Sequence, residues 1–124
     1  MSEEATAPAM STDCLFCRIV AGEIPADKLY EDDVILAIRD INPRAPTHIL
    51  LLPRRHIRSA AELTEADGPM LGRLFAVAAK LARDGGIADS GYRLVSNVGR
   101  LGGQTVDHLH VHLMGGRAFD WPPG

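Results

Sequence analysis

The sequence predicts an α+β domain: a five-stranded antiparallel sheet with one long helix and one short N-terminal helix. Three observations carry that prediction. At 124 residues the chain has room for one core and not for two ordinary domains. Short β-prone runs recur between turn-forming residues, and only one stretch, from Met70 to Leu81, repeats its apolar residues at helical spacing. An apolar fraction of 46% with 23% charged residues belongs to a soluble globular chain rather than a disordered one.

Residues 1–12 mix Ala, Pro, Ser and Glu without periodicity and read as a mobile tail, with the folded domain spanning 13–124. Asp13 is placed to cap a short helix through Cys14–Val20, ended by Gly22. Lys28–Glu31 and Val34–Arg39 form β-prone runs separated by Asp32-Asp33, the pattern of a hairpin. After a loop stiffened by Pro43 and Pro46, His48–Leu52 returns as a buried strand, which sets Asp40 and His48 at the ends of neighbouring strands. Thr64 and Asp67 suggest a capping box ahead of the long helix, and Gly85-Gly86 ends it. The apolar arc of that helix is wide for a single sheet face, so part of it is expected to meet a second subunit. Tyr92–Ser96 supplies the fourth strand.

The fifth strand is the informative one. In His108-Leu109-His110-Val111-His112-Leu113-Met114 histidines alternate with apolar residues, so a strand would turn the imidazoles to one face and Leu109, Val111 and Leu113 to the core. Just upstream, Asn97–Thr105 is a glycine-rich loop whose N–H groups can approach an anion closely. A histidine row beside a phosphate cradle points to phosphoryl or nucleotidyl transfer. A catalytic metal is the rival reading, because H-x-H on a strand also suits zinc, but no acidic residue follows His112 as metallo-hydrolase patterns require.

A formal charge of −3 offers no basic footprint for nucleic acid. The acidic start, Met1-Ser2-Glu3-Glu4, lacks a secretory pattern, and no apolar run approaches the ~20 residues that span a bilayer, so a cytoplasmic protein without a membrane partner is expected. Cys14 and Cys17 form a C-x-x-C, which in such a chain reads as a metal site, as plain thiols or, least well, as a redox pair.

Together these segments resemble the histidine triad (HIT) family, whose signature is H-φ-H-φ-H-φ-φ with φ apolar. Within it the chain is similar to the Hint branch, the purine nucleoside phosphoramidases. The likeness also rests on Ile24-Pro25-Ala26, Asp40-Ile41-Asn42-Pro43, Ala45-Pro46-Thr47-His48, Pro53-Arg54-Arg55-His56-Ile57, Gly102-Gly103-Gln104 and the terminal Trp121-Pro122-Pro123-Gly124. It runs from about Asp13 to the last residue.

The resemblance implies a homodimer with a sheet continuous across its interface, and hydrolysis of adenosine 5′-phosphoramidates, conjugates of AMP with an amine. It implies His110 as nucleophile, His112 as donor to the phosphate oxygens, and His108 and His48 as their supporting network. Asp40 and Ile41 match positions that hold ribose and base, and Asn97, Gly103, Gln104 and Thr105 match the phosphate loop. Trp121 matches a tail residue that reaches the partner's site. By likeness to bacterial members, Cys14, Cys17, His48 and His108 would hold a structural zinc, with no cofactor needed for catalysis; His56 reads as structural. Thr105 stands where many relatives have Ser, and Arg39 where some have His. Dinucleoside polyphosphate hydrolysis of the Fhit type, or nucleotide binding with little turnover, are the alternatives.

Overall fold

The computed structural model describes residues 13–124; the tail read over residues 1–12 lies outside the described residues. Helix α1, Leu15–Val20, precedes β1, Lys28–Glu31, and β2, Ile35–Arg39. Then come β3, Thr47–Pro53, helix α2, Gly68–Asp84, β4, Tyr92–Val95, and β5, Val111–Gly115. The strands form one sheet in the order β1-β2-β3-β5-β4, every neighbouring pair antiparallel. The α+β class and the predicted order of elements therefore hold.

Local chemistry explains most boundaries. Asp32 makes the hairpin turn by accepting from the backbone N–H groups of Val34 and Ile35, each at 2.7 Å. Thr64 and Asp67 form the expected capping box around a single 3-10 turn, Glu65–Asp67, and α2 continues directly from it. Helix α1 differs from expectation, because it starts one residue later. Its N-cap is Cys14, whose Sγ accepts from the Cys17 N–H at 3.3 Å, which leaves Asp13 outside the first turn.

Strands β2 and β3 alternate between two clusters of buried side chains, the first of which β5 shares. Ile35, Ala37, Ile49, Leu51, Val111 and Leu113 pack against Leu74, Val77, Ala78 and Leu81 of α2. Leu36, Ile38, Leu50 and Leu52 pack on the other face, under Phe16, Ile19 and Val20 of α1. Burial on both faces is why Ile49–Leu52 reads as an unbroken apolar run. The far flank of α2 stays uncovered within one chain, with Phe75 46% exposed.

The histidine strand is shorter than the sequence suggested. Its ladder with β3 begins only at Val111, opposite Leu51. Upstream of that point the chain veers away: the Leu109 N–H bonds to the Ile57 carbonyl at 2.6 Å, and the His108 ring takes the Pro53 carbonyl at 2.8 Å. Proline has no N–H with which to continue the ladder. His108 and His110 thus lie just before the strand and His112 within it.

Candidate active site and metal cluster

A pocket of about 340 Å³ lies on the sheet face away from α2. Leu15, Phe16 and Ile19 of α1 roof it, Ile38 and Leu50 floor it, and Asp40, Thr105, His110 and His112 stand in its wall. An apolar slot with convergent polar groups is the usual form of a small-molecule site.

The hydrogen bonds assign each imidazole a role. His48 Nδ1 accepts from the Arg44 N–H at 3.0 Å, so its proton sits on Nε2, which lies 2.9 Å from His112 Nδ1 and 3.4 Å from an Asp40 carboxylate oxygen. His112 then accepts at Nδ1 and carries its own proton on Nε2. His110 Nδ1 lies 2.7 Å from the His108 carbonyl, which can only accept. The His110 ring must donate there, and its Nε2 keeps a bare lone pair. The His110 and His112 ring centroids are 5.0 Å apart. Burial first, then the neighbouring His110 and His48, pushes the His112 pKa down to about 4, and burial lowers that of His48 as well. His112 is neutral at pH 7, a donor without a charge.

The glycine loop is braced by side-chain amides. Gln104 accepts from the Gly99 N–H at 2.9 Å and donates to the carbonyls of Arg58 at 2.8 Å and Val106 at 3.0 Å. Asn97 donates to the Gly102 carbonyl at 2.8 Å. Both amides shape the loop, whereas Thr105 and its neighbour Val106 reach the pocket wall. Gly103 adopts φ +86°, and at Gly102 a Cβ would sit 2.2 Å from the Val98 carbonyl oxygen. Glycine is required there by close approach.

The Cys pair gathers a different fourth partner from the one expected. Cys14, Cys17, His56 and His108 bring their sulfur and nitrogen atoms within 4.8 Å of one another. His108 Nδ1 lies 3.3 Å from Cys14 Sγ and 3.6 Å from Cys17 Sγ, and His56 Nδ1 lies 3.2 Å from Cys17 Sγ. These separations suit a tetrahedral zinc, whose S and N ligands stand about 3.5 Å apart. The His108 Nε2 proton donates to the Pro53 carbonyl, which leaves Nδ1 bare for a metal, the usual outer-shell arrangement.

His48 is no part of this cluster. It sits at the start of β3 and His56 lies beyond its end, so the seven-residue strand, at about 3.3 Å per residue, holds the two apart. His48 joins Asp40 and His112 instead. The sequence holds one signal for His56: of five histidines it is the one to which the resemblance gives no catalytic or ligand role. The Phe16 ring stands edge-on to both His108 and His110, a site contact that no motif in the sequence signals. Ile41, 93% exposed, lies at the pocket rim. Trp121 is 84% exposed and absent from the pocket lining of its own chain.

Known proteins are similar to this chain along most of its length. The HIT domain matches residues 21–119. The purine nucleoside phosphoramidase of Escherichia coli strain K12 is 47% identical over 108 residues, covering 87% of this chain and 91% of its own. A HIT-like protein of Synechococcus elongatus is 49% identical over 115 residues, 93% of this chain and 100% of its own. Among solved structures, a HIT family hydrolase from Legionella pneumophila superposes with TM-score 0.88 at 50% identity, covering 90% of this chain and 99% of that one.

Proposed function

The chain belongs to the HIT domain family and is a nucleotide hydrolase, and we propose that it is a purine nucleoside phosphoramidase, cleaving the P–N bond of adenosine 5′-phosphoramidates. One observation carries the mechanism: the His110 Nδ1–H is held by the His108 carbonyl at 2.7 Å, so a lone pair on Nε2 stands ready in the pocket wall beside His112. That lone pair attacks the α-phosphorus. The P–N bond breaks, its electron pair leaves on the nitrogen, and the departing amine takes a proton from solvent, which the attacking water of the second step gives back. The His110 ring, now bonded to phosphorus, becomes cationic, and the His108 carbonyl stabilises its Nδ1–H. Water then attacks phosphorus, the P–Nε2 bond breaks, and AMP leaves with His110 restored. Two easier displacements replace one hard one.

The remaining residues bind and orient. His112 donates to the phosphate oxygens through Nε2–H, and His48, anchored by the Arg44 N–H, fixes the ring that does so. Asp40 receives the ribose hydroxyls and Ile41 walls the base. The loop of Asn97, Gly103, Gln104 and Thr105 cradles the phosphate on its leaving-group side. Cys14, Cys17, His56 and His108 would hold zinc as a closed structural site, which clamps α1 and takes no part in the chemistry. A homodimer would bring Trp121 to the partner's site.

The test is a turnover panel with rapid quench. Wild-type protein is expected to hydrolyse an AMP–amine conjugate and to show a nucleotidyl adduct on His110 by intact mass. His110→Ala is expected to lose turnover while still binding AMP. Retained turnover in that variant refutes the mechanism, and a higher kcat/KM for diadenosine triphosphate than for the conjugate refutes the substrate.

A further inference from the structure

We infer that metal binding at Cys14, Cys17, His56 and His108 and nucleotide binding in the neighbouring pocket are energetically coupled, each tightening the other. The inference rests on the pocket being the nucleotide site proposed above. Two independent connections carry it.

The first is helix α1. It has six residues, too few to hold a helical shape by itself in water. Cys14 and Cys17, its cap and first turn, reach the metal cluster, while Leu15, Phe16 and Ile19 of the same helix roof the pocket. Clamping the thiolates therefore sets the roof.

The second is His108, fully buried, which works in two directions. Its ring faces Cys14 and Cys17, and its backbone carbonyl holds His110 at 2.7 Å. Phe16 joins both connections, with its ring centroid 5.9 Å from that of His108 and 5.1 Å from that of His110, each edge-on. A group that orders this helix and this histidine lowers the ordering cost of any ligand that needs both, and linkage makes the effect reciprocal.

The experiment uses the full chain in two arms. In the first, AMP is titrated by calorimetry into zinc-loaded protein and into protein stripped with a chelator, with circular dichroism confirming that the stripped chain keeps its helix and sheet. AMP is expected to bind about tenfold more weakly to the stripped form, within the usual range of coupling between sites. The second arm works on folded, loaded protein throughout. A chelating dye competes for zinc with and without saturating AMP, and zinc is expected to bind tighter with AMP by the same factor. Phe16→Ala, which leaves all four metal ligands in place, is expected to shrink that factor severalfold. Zinc affinity indifferent to AMP, or AMP affinity indifferent to zinc, overturns the coupling while leaving the pocket assignment standing. A chain that takes up no zinc also overturns it. Failure of the loaded protein to bind AMP overturns the coupling and the pocket assignment together.

Discussion

An imidazole can attack, donate or ligate a metal, and the nitrogen away from the task decides which. In this chain that nitrogen is met by a backbone group at His48, His108 and His110, through the Arg44 N–H, the Pro53 carbonyl and the His108 carbonyl respectively. Alternation along the sequence shows that histidines recur, but not which backbone group each ring meets: the partners of His48 and His110 lie four and two residues away, and that of His108 lies 55 residues away. The metal cluster gives the sharpest test at this scale. His56→Ala is expected to lose stoichiometric zinc by metal analysis, and His48→Ala to retain it; the reverse pattern would restore the assignment made from sequence. His112 gives a test in pH. Its pKa is depressed from the ordinary 6.5 to about 4, chiefly by burial, so between those values the unfolded chain binds a proton that the folded chain refuses. The stability His112 contributes is complete above pH 6.5 and is lost as pH falls towards 4. The unfolding midpoint of the wild type is expected to drop across that window more steeply than that of His112→Asn. Parallel slopes would show that the ring is not desolvated.

At the scale of elements, the sequence is most legible where one residue type suffices to end or start a structure. The Asp32 turn, the Thr64–Asp67 box and the Gly85-Gly86 stop all stand where expected. Boundaries fail where tertiary partners compete. The histidine strand begins late because Pro53 and Ile57 draw its first residues into a loop, and α1 is capped by a thiol rather than by the better carboxylate one residue earlier. The glycine loop is legible as a loop, but its bracing by Gln104 depends on the Arg58 carbonyl, 46 residues away. Gly102→Ala would set a Cβ 2.2 Å from the Val98 carbonyl oxygen and force the loop open. The expected result is a loss of about 10²-fold in kcat/KM, since small misplacements at a reacting centre are costly. The melting temperature should change little, because the loop is exposed. A variant with wild-type kinetics would remove this loop from the site.

At the scale of the whole molecule, the sheet separates two tasks: α2 covers one face and holds the fold, while α1 and the histidines occupy the other. Among the described residues no helix is long and apolar enough to cross a membrane. Phe75 and Trp121 stand exposed, and β4 is an edge strand with half-buried side chains. The proposed homodimer would cover such surface, so the protein is expected to sediment as a dimer, and Trp121→Ala to alter selectivity among leaving amines without changing the melting temperature. Monomeric sedimentation, or unchanged selectivity, would return Trp121 to the solvent. The sequence by itself determined the α+β class, the alternation that commits Val111 and Leu113 to the core, and the presence of thiol and imidazole ligands, because these follow from side-chain type and local period. Only the tertiary structure decided which histidine answers which task. His48 and His56 are both histidines, one at the start of β3 and one beyond its end, and the length of that strand, not any property of the residues, sends one to Asp40 and His112 and the other to the metal cluster.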